Sequence, residues 1–326
     1  MKNTIVDISN RNNKIIALKE NLQKYVIGQE ELVENLIIAI LTEGHILIEG
    51  VPGLAKTLAA NSLAKSINAE FKRIQFTPDL LPTDLIGTEI FNHEKNSFEF
   101  KKGPLFSNII LADEINRAPS KVQSALLESM AEKQITVADQ TYQLSNDFFL
   151  VAATQNPIEQ EGTYHLSEAA LDRFMLHVVV TYPSFKQELE IVKYELDGKF
   201  KNFDLTPITN VIELAAMRSD AAKVFVSPSL QEYIVSLISV TRHPEKYDSD
   251  LRNFIDYGVS PRASLSLIKA AQALAYIQGD DFVTPAHIQK MLPNVLRHRL
   301  TINFNAKAEG VTKDEIIKRI ISIVAY

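Results

Sequence analysis

The pattern of apolar and polar positions divides the chain into two parts that differ in periodicity. In the first 184 residues, short apolar runs predict buried strands, and apolar positions three or four apart predict helices. The predicted strands are 45–49, 71–76, 108–114, 147–154 and 175–180, and the predicted helices are 10–25, 30–42, 58–69, 119–133 and 166–174. Alternating positions predict two hairpins, at 88–100 and 134–144. Strands that alternate with helices predict an α/β domain of about five mostly parallel strands.

Beyond Pro183 every periodic segment is helical. The predicted helices are 187–196, 208–219, 229–242, 260–278, 284–300 and 313–325. Ser227 and Thr284 each precede a proline, and Thr312 precedes Glu315 by three positions, which are signals for helix N-termini. The pattern therefore predicts an α/β domain over 1–184 and an all-helical domain over 185–326.

Composition and charge narrow the class of protein. The chain has 326 residues, a formal net charge of −6 and no cysteine, so disulfides and thiolate metal sites are excluded. The acidic balance argues against a broad nucleic-acid surface, which requires a basic face. No uncharged apolar run reaches the roughly 18–20 residues of a membrane span, and the first residues do not resemble a signal peptide. These features predict a cytoplasmic protein.

A glycine-bearing turn follows the first predicted strand and leads directly into a helix. Such a turn places backbone N–H groups and a helix N-terminus around an anion, as in a phosphate-binding loop. The residues expected at the nucleotide are Gly50, Val51, Pro52, Gly53, Leu54, Ala55, Lys56, Thr57 and Leu58. Lys56 would reach the β- and γ-phosphates, and the Thr57 hydroxyl would hold Mg²⁺. The alternative is an ordinary strand–turn–helix connection.

Ala55 departs from the full loop pattern, which has glycine before the lysine. Alanine does not easily adopt a positive φ, so the turn is expected to use a conformation open to an L-residue.

Two further polar groups follow predicted buried strands. Asp113 and Glu114 end the run 108–114, and Asn156 comes just after 147–154. Ligands of α/β sheets bind at the carboxyl ends of the strands, so these side chains are expected to join Lys56. Asp113 would bind Mg²⁺ through water, Glu114 would orient or deprotonate the attacking water, and Asn156 would position that water. The alternatives are a solvated helix start for the acidic pair and a simple Asn-Pro turn.

The order of these segments resembles that in the AAA+ ATPases, and their amino-acid sequences resemble those of the MoxR branch. The loop 50–57 is similar to that branch's own loop, in which alanine before the lysine is usual. Residues 111–119 resemble its Walker B segment, 153–164 its sensor 1 stretch, 171–174 its arginine-finger helix, 260–263 its sensor 2 motif and 26–29 the segment near the adenine. The resemblance implies a P-loop AAA+ core with a helical lid domain.

The resemblance also implies roles for residues outside the loop. Arg173 would be an arginine finger that reaches the nucleotide of a neighbouring subunit, with Arg117 as the rival candidate. Arg262 on the lid would contact phosphates of its own subunit, and Ile27 and Gly28 would lie near the adenine. His165 and Ser167 replace the two prolines common in the family before the finger helix.

The implied function is ATP hydrolysis with Mg²⁺ in an oligomeric ring, usually a hexamer. Such rings remodel, mature or activate client proteins in a chaperone-like way, often with partners that hold a von Willebrand factor A domain. Two alternatives stay open from the sequence: a nucleotide-dependent binding switch or scaffold with slow hydrolysis, and a DNA-acting ring. Glu114 argues against the first, and the acidic balance argues against the second.

Overall fold

The computed structural model describes residues 2–137, 140–144, 148–157, 162–198 and 205–326, with side chains from residue 11 onward. Ala138 and Asp139 in the predicted hairpin 134–144, Asp147 at the start of a predicted strand, and residues 158–161 of the sensor 1 stretch lie outside this range.

The strands of the described chain run in the following order: β1 (Ile46–Glu49), β2 (Phe71–Gln75), β3 (Gly87–Asn92), β4 (Ser97–Lys102), β5 (Ile109–Asp113), β6 (Gln134–Val137), β7 (Gln140–Gln143), β8 (Leu150–Gln155), β9 (Leu176–Val179), β10 (Ile255–Tyr257) and β11 (Thr301–Ile302). The α-helices are α1 (Lys2–Tyr25), α2 (Glu30–Thr42), α3 (Lys56–Ser66), α4 (Pro82–Ile86), α5 (Ser120–Glu132), α6 (Glu168–Leu171), α7 (Phe185–Leu196), α8 (Val211–Ala221), α9 (Pro228–Arg242), α10 (Ser249–Arg252), α11 (Pro261–Gln278), α12 (Pro285–Leu296), α13 (Phe304–Ala308) and α14 (Lys313–Ile323).

A five-stranded sheet forms the centre of the α/β part, in the order β2-β5-β8-β1-β9. The pairs β2–β5, β5–β8 and β1–β8 are parallel, as the sequence predicts. Strands β1, β5 and β8 consist almost entirely of buried residues, because helices cover both faces of a parallel sheet. Edge strand β2 buries only Ile74. The two predicted hairpins are confirmed as β3–β4 and β6–β7.

The register brings the carboxyl ends of the strands to one edge of the sheet. Glu49 at the end of β1 pairs with Gln155 at the end of β8, and Gln75 at the end of β2 pairs with Asp113 at the end of β5. The segments that the sequence singles out for nucleotide chemistry therefore leave the sheet on the same side.

A buried histidine links strand β8 of the sheet to helix α5 through two hydrogen bonds. The His45 ring accepts a hydrogen bond from the Val151 N–H (3.1 Å), so Nε2 carries the proton and donates to the Met130 carbonyl (3.2 Å). The contact with the Val151 N–H requires the neutral ring, because a protonated Nδ1 cannot accept a hydrogen bond. Burial, the largest cause, lowers the pKa of His45 from 6.5 to about 4.

We expect this histidine to make the protein sensitive to acid. The unfolded chain takes up a proton near pH 6.5 and the folded chain only near pH 4, so stability is full above 6.5 and falls towards pH 4. The loss from this group is about 3 kcal/mol of unfolding free energy. Urea unfolding between pH 7 and 4.5 measures it. His45→Gln should weaken the pH dependence, whereas His93→Gln, at an exposed position, should not; equal slopes would contradict the assignment.

The described chain packs into two compact units. One contains Ala17–Arg173 and Val178–Ala215, and therefore the loop 50–57 and the sheet edge described above. The other contains the chain up to Ile16, the short segment Phe174–His177 and all residues from Ala216 onward. The boundary at 184 and 185 stays a prediction of the sequence.

The second unit is built on α9, α11, α12 and α14, whose apolar faces form its core. It also contains a short antiparallel pair, in which Ile255 of β10 faces Ile302 of β11. The sequence predicts only helices here, because strands of two and three residues are too short to produce a recognisable period. Within the described chain, no helix combines the length and apolar character needed to cross a membrane.

Candidate active site

A cavity of ≈ 440 Å³ opens at the carboxyl edge of the sheet. Its lining brings together the loop and three predicted site residues from two other strands. The lining residues are Pro52, Gly53, Leu54, Ala55, Lys56, Thr57, Leu58, Arg73, Gln75, Asp113, Glu114 and Asn156. Gly50 and Val51 precede this stretch, at the exit of β1.

Two positions of the loop have backbones that decide which residues fit. A Cβ atom on Gly50 would lie 2.9 Å from the Val180 carbonyl oxygen, so this position has no room for a side chain. Gly53 has φ +86° and open space around it. Glycine adopts this left-handed conformation without steric cost.

Ala55 also has a left-handed backbone, with φ 56° and ψ 16°. The expectation that the turn avoids a positive φ at this residue is wrong. Ala55 is the N-cap of α3, and the loop imposes on alanine a conformation that glycine adopts more readily. The cost for an L-residue is about 1–2 kcal/mol.

Helix α3 begins at the cavity and presents its N-terminus to it. The N-cap residue Ala55 makes no side-chain hydrogen bond to the first turn. The first N–H groups of a helix lack intrahelical partners and carry partial positive charge, so this end attracts an anion. Lys56 in the first turn donates to the Gly50 carbonyl across the loop. Partial burial lowers the pKa of Lys56, and the carboxylates of Asp113, Glu114 and Glu49 act in the opposite direction.

Asp113 is held by two neighbours at the end of β5. The buried Thr154 hydroxyl donates to one carboxylate oxygen at 2.5 Å, and the Arg73 guanidinium donates to the other from Nε (3.0 Å) and Nη2 (2.6 Å). The carboxylate is therefore fixed in direction and paired with a cation.

Glu114 is the next residue and has a left-handed backbone, with φ 57° and ψ 51°. This conformation directs its N–H to the Thr154 hydroxyl oxygen at 2.9 Å. Its carboxylate accepts a hydrogen bond from the Gln75 side chain (2.8 Å) and forms an ion pair with Arg117 (3.0 Å). Arg117, the rival finger candidate, thus contacts Glu114 of its own chain.

Three of these residues, Arg73, Gln75 and Thr154, are not among the site residues expected from the sequence. Arg73 and Gln75 are two positions apart on β2 and so point to one face of the sheet, and Arg73 also donates to Gln75 at 2.6 Å. Their polarity at the end of a predicted strand was the available signal. The signal for Thr154 was a hydroxyl in an otherwise apolar strand.

Thr154→Val should destabilise the protein by about 1–3 kcal/mol, because it leaves the Glu114 N–H and one Asp113 oxygen without the Thr154 hydroxyl in a buried place. Valine keeps the shape of the side chain, so the loss reports on hydrogen bonding. Urea unfolding is the measurement, and Thr154→Ser, which keeps the hydroxyl, should recover most of the stability. A valine variant as stable as the parent would refute the role given to Thr154.

The other predicted residues take the following places. Asn156 is 6% exposed and lies directly after β8 in the cavity wall. Ile27 and Gly28 lie in the predicted break between α1 and α2, where Gly28 is next to Pro183. Arg262 is an exposed residue in the first turn of α11, in the second unit.

Arg173 lies beyond the end of the observed helix α6. The sequence predicts a helix over 166–174, whereas α6 ends at Leu171. Arg173 is exposed, and its guanidinium donates to the Ala169 carbonyl at 2.8 Å. Ser167, which replaces a family proline, is the N-cap of α6 and accepts a hydrogen bond from the Ala170 N–H at 3.2 Å. The replacement thus gives this turn a side-chain cap.

These residues fit a magnesium nucleotide. The uncapped end of α3, the Lys56 ammonium and the open space at Gly53 suit phosphate groups. The Thr57 hydroxyl and the Asp113 carboxylate are oxygen ligands of the kind that Mg²⁺ prefers. Within the described residues, no cluster of three or more histidine or carboxylate side chains could hold a metal ion alone. Mg²⁺ held by Thr57 and Asp113 would therefore need phosphate oxygens and water as its remaining ligands.

Comparisons with known proteins agree with this chemistry. Residues 45–176 match the ATPase family associated with various cellular activities (AAA), and residues 249–320 match the AAA lid domain. The chain is 43% identical to Chaperone MoxR1 of Mycobacterium tuberculosis over 310 residues, which are 93% of this chain and 80% of that protein. It is 30% identical to Protein MoxR of Paracoccus denitrificans, with 86% of this chain and 87% of that protein covered. A crystal structure of a candidate ATPase from Cytophaga hutchinsonii superposes with a TM-score of 0.92 and 46% identity, covering 99% of this chain and 98% of that one.

Proposed function

Because the chain belongs to the MoxR family of AAA+ ATPases, we propose that it binds ATP with Mg²⁺ in this cavity and hydrolyses it to ADP and phosphate. The observation that carries the proposal is the convergence of Lys56, Thr57, Asp113, Glu114 and Asn156 on one cavity. These residues come from the exits of β1, β5 and β8 and supply the parts that phosphoryl transfer requires.

Each of these residues has a distinct task in the proposed reaction. Lys56 and the α3 N-terminus bind the β- and γ-phosphates, and Thr57 and Asp113 hold the metal. When bound, Mg²⁺ neutralises the charge of the phosphates. Glu114 orients or deprotonates the attacking water, and Asn156 holds that water in place.

The contacts around Asp113 are expected to change in this reaction. Arg73 donates to the Asp113 oxygen that Thr154 leaves open, whereas Gln75 and Arg117 both contact the same oxygen of Glu114, Oε2. Asp113 cannot offer the same lone pairs to Arg73 and to Mg²⁺. We therefore expect Arg73 to withdraw from Asp113 when the magnesium nucleotide binds.

We further propose that the protein works as a ring, hexameric by the family resemblance, that remodels or activates client proteins in the cytoplasm. The chaperone name of the mycobacterial relative supports this class of work. In the ring, Arg173 would act on the nucleotide of the neighbouring subunit, and Arg262 on that of its own. Partners with a von Willebrand factor A domain are candidates for adaptors.

Steady-state ATPase activity tests the proposal against a binding switch and a DNA-acting ring. We expect activity that requires Mg²⁺, is lost in excess EDTA and is unchanged by DNA. Full activity in EDTA would refute the metal assignment, and a large stimulation by DNA would favour the DNA-acting ring.

Glu114→Gln should bind ATP normally but hydrolyse it about 10²–10⁴-fold more slowly, because the amide keeps the shape and loses the basic oxygen. Single-turnover hydrolysis separates the chemical step from binding. Glu128→Gln, on the exposed face of α5, is the matched control and should keep full activity. If Glu114→Gln hydrolyses ATP as fast as the parent, the base lies elsewhere. If hydrolysis is slow, the same variant can be used to capture client proteins.

A further inference from the structure

Arg173 lies at one of the points where the chain passes from one unit to the other. Arg173 belongs to the unit that contains the loop, the next four residues, Phe174–His177, belong to the unit with the lid helices, and the chain returns to the first unit at Val178. The segment Phe174–His177 is buried, whereas Arg173 is exposed. The backbone of Arg173 is therefore hydrogen-bonded to α6 on one side, through the Ala170 carbonyl, and joined to this buried segment on the other.

Two consecutive side chains beyond the end of α12 bind backbone carbonyls at the start of the segment. His298 donates from Nε2 to the Phe174 carbonyl at 2.8 Å. Arg299 donates to the same carbonyl from Nη2 at 2.7 Å and to the Met175 carbonyl from Nη1 at 3.1 Å. Burial is the main reason that the pKa of His298 lies well below its ordinary value, and the ring is accordingly a neutral donor.

A third side chain binds the other end of the segment. Arg297 donates to the His177 carbonyl at 2.7 Å. The same guanidinium forms a two-pronged ion pair with Asp314 of α14, at 2.8 and 3.0 Å, and contacts Asn294 at 3.2 Å. Asp314 and Asn294 therefore fix the orientation of the guanidinium that binds the segment. The planar guanidinium of arginine can make all of these contacts at once, whereas the ammonium of lysine cannot.

Arg299 also contacts α11, the lid helix that carries Arg262. Arg299 donates to the Ser266 hydroxyl on α11 at 3.3 Å. Ser266 lies one helical turn after Arg262. One guanidinium thus touches both the helix with the predicted phosphate contact and the segment that follows the predicted finger.

We infer that Arg297, His298 and Arg299 form a carbonyl clamp whose task is to position Arg173 for the neighbouring subunit. The inference rests on the proposed function, in which Arg173 is the finger. A group that acts on a transition state must be placed to within fractions of an ångström, and an error of 1 Å can cost about 10²-fold in rate. These three are positioning residues, because they act through the backbone of the segment that follows Arg173.

The first test measures whether the clamp fixes residue 173. The chain has no cysteine, so an Arg173→Cys variant takes a single nitroxide label. We expect the label to become more mobile by electron paramagnetic resonance when Arg299→Met is added. Arg319→Met is the matched control, since Arg319 pairs with Asp248 and Asp250 in the same unit and should leave the label unchanged. Unchanged mobility with Arg299→Met would overturn the inference.

The second test separates a positioning role from damage to the variant's own site. Arg299→Met should bind ATP with the parent's affinity and lose about 10- to 100-fold in turnover. Mixing it with Lys56→Ala should restore activity, because Lys56→Ala subunits keep an intact clamp and finger but supply no nucleotide site. In random 1:1 rings about one quarter of the sites combine both intact halves. A mixture that forms rings and stays inactive would overturn the inference.

Two further variants address the case in which Arg299→Met does not fold and the case in which Arg173 is not an arginine finger. If Arg299→Met does not fold, Arg297→Gln weakens the other end of the clamp and is held to the same two outcomes. If Arg173→Ala keeps full turnover, the finger part of the proposed function fails. The mobility of the label then decides alone whether the clamp fixes residue 173.

Discussion

Arg173→Ala is expected to lower ATP turnover by about 10³–10⁵-fold, the range known for arginine fingers in GTPases. The guanidinium is exposed, and its observed contact is the carbonyl of Ala169 in the preceding turn. It is therefore available to a second subunit without breaking a buried structure. ATP binding by the variant should be nearly unchanged, since the cavity residues remain in place.

Complementation decides whether Arg173 acts between subunits. Arg173→Ala and Lys56→Ala are each expected to be inactive, but a mixed ring contains sites with a normal loop from one chain and a normal finger from the next. About one quarter of the sites in a random 1:1 ring should be active. Full activity of Arg173→Ala alone, or an inactive mixture in which mixed rings are shown to form, would exclude the role in trans. Arg117, which pairs with Glu114 in the same chain, would then be the next candidate.

Lys56→Ala is expected to weaken ATP binding by about 100-fold or more, because hydrogen bonds to charged groups contribute up to about 3 kcal/mol each. The ammonium lies in the cavity with part of its hydration removed, and the Gly50 carbonyl orients it. Phosphate oxygens would supply the negative charge that the loop itself lacks.

A second lysine on the same helix provides the control. Lys65 is exposed near the end of α3 and does not line the cavity, so Lys65→Ala should bind ATP like the parent. Equilibrium binding of a fluorescent ATP analogue measures both variants. Normal affinity in Lys56→Ala would mean that the loop is not a phosphate site.

The central sheet could be predicted because its strands are buried on both faces. Strands β1, β5 and β8 are nearly continuous apolar runs. The loop with Lys56 follows β1, Asp113 ends β5 and Asn156 follows β8, and all three residues line the cavity. Run length and flanking residues were enough to place Lys56, Asp113 and Asn156 at strand exits.

What the sequence could not supply is the order of the strands. β2 pairs with β5, and this pairing brings Arg73 to Asp113 and Gln75 to Glu114. No local pattern encodes which strand lies beside which. The left-handed backbone of Ala55 was missed for a related reason, since the loop as a whole imposes it against the preference of the residue.

The left-handed backbone of Glu114 has a consequence for how mutations at this position would be selected. A non-glycine residue there costs of the order of 1 kcal/mol, and the fold retains it because that conformation directs the peptide N–H to Thr154 and the carboxylate to the cavity. Glycine would suit the backbone better and would carry no carboxylate. Selection for thermal resistance and selection for turnover therefore favour different residues at position 114, and glutamate persists only as long as hydrolysis is under selection.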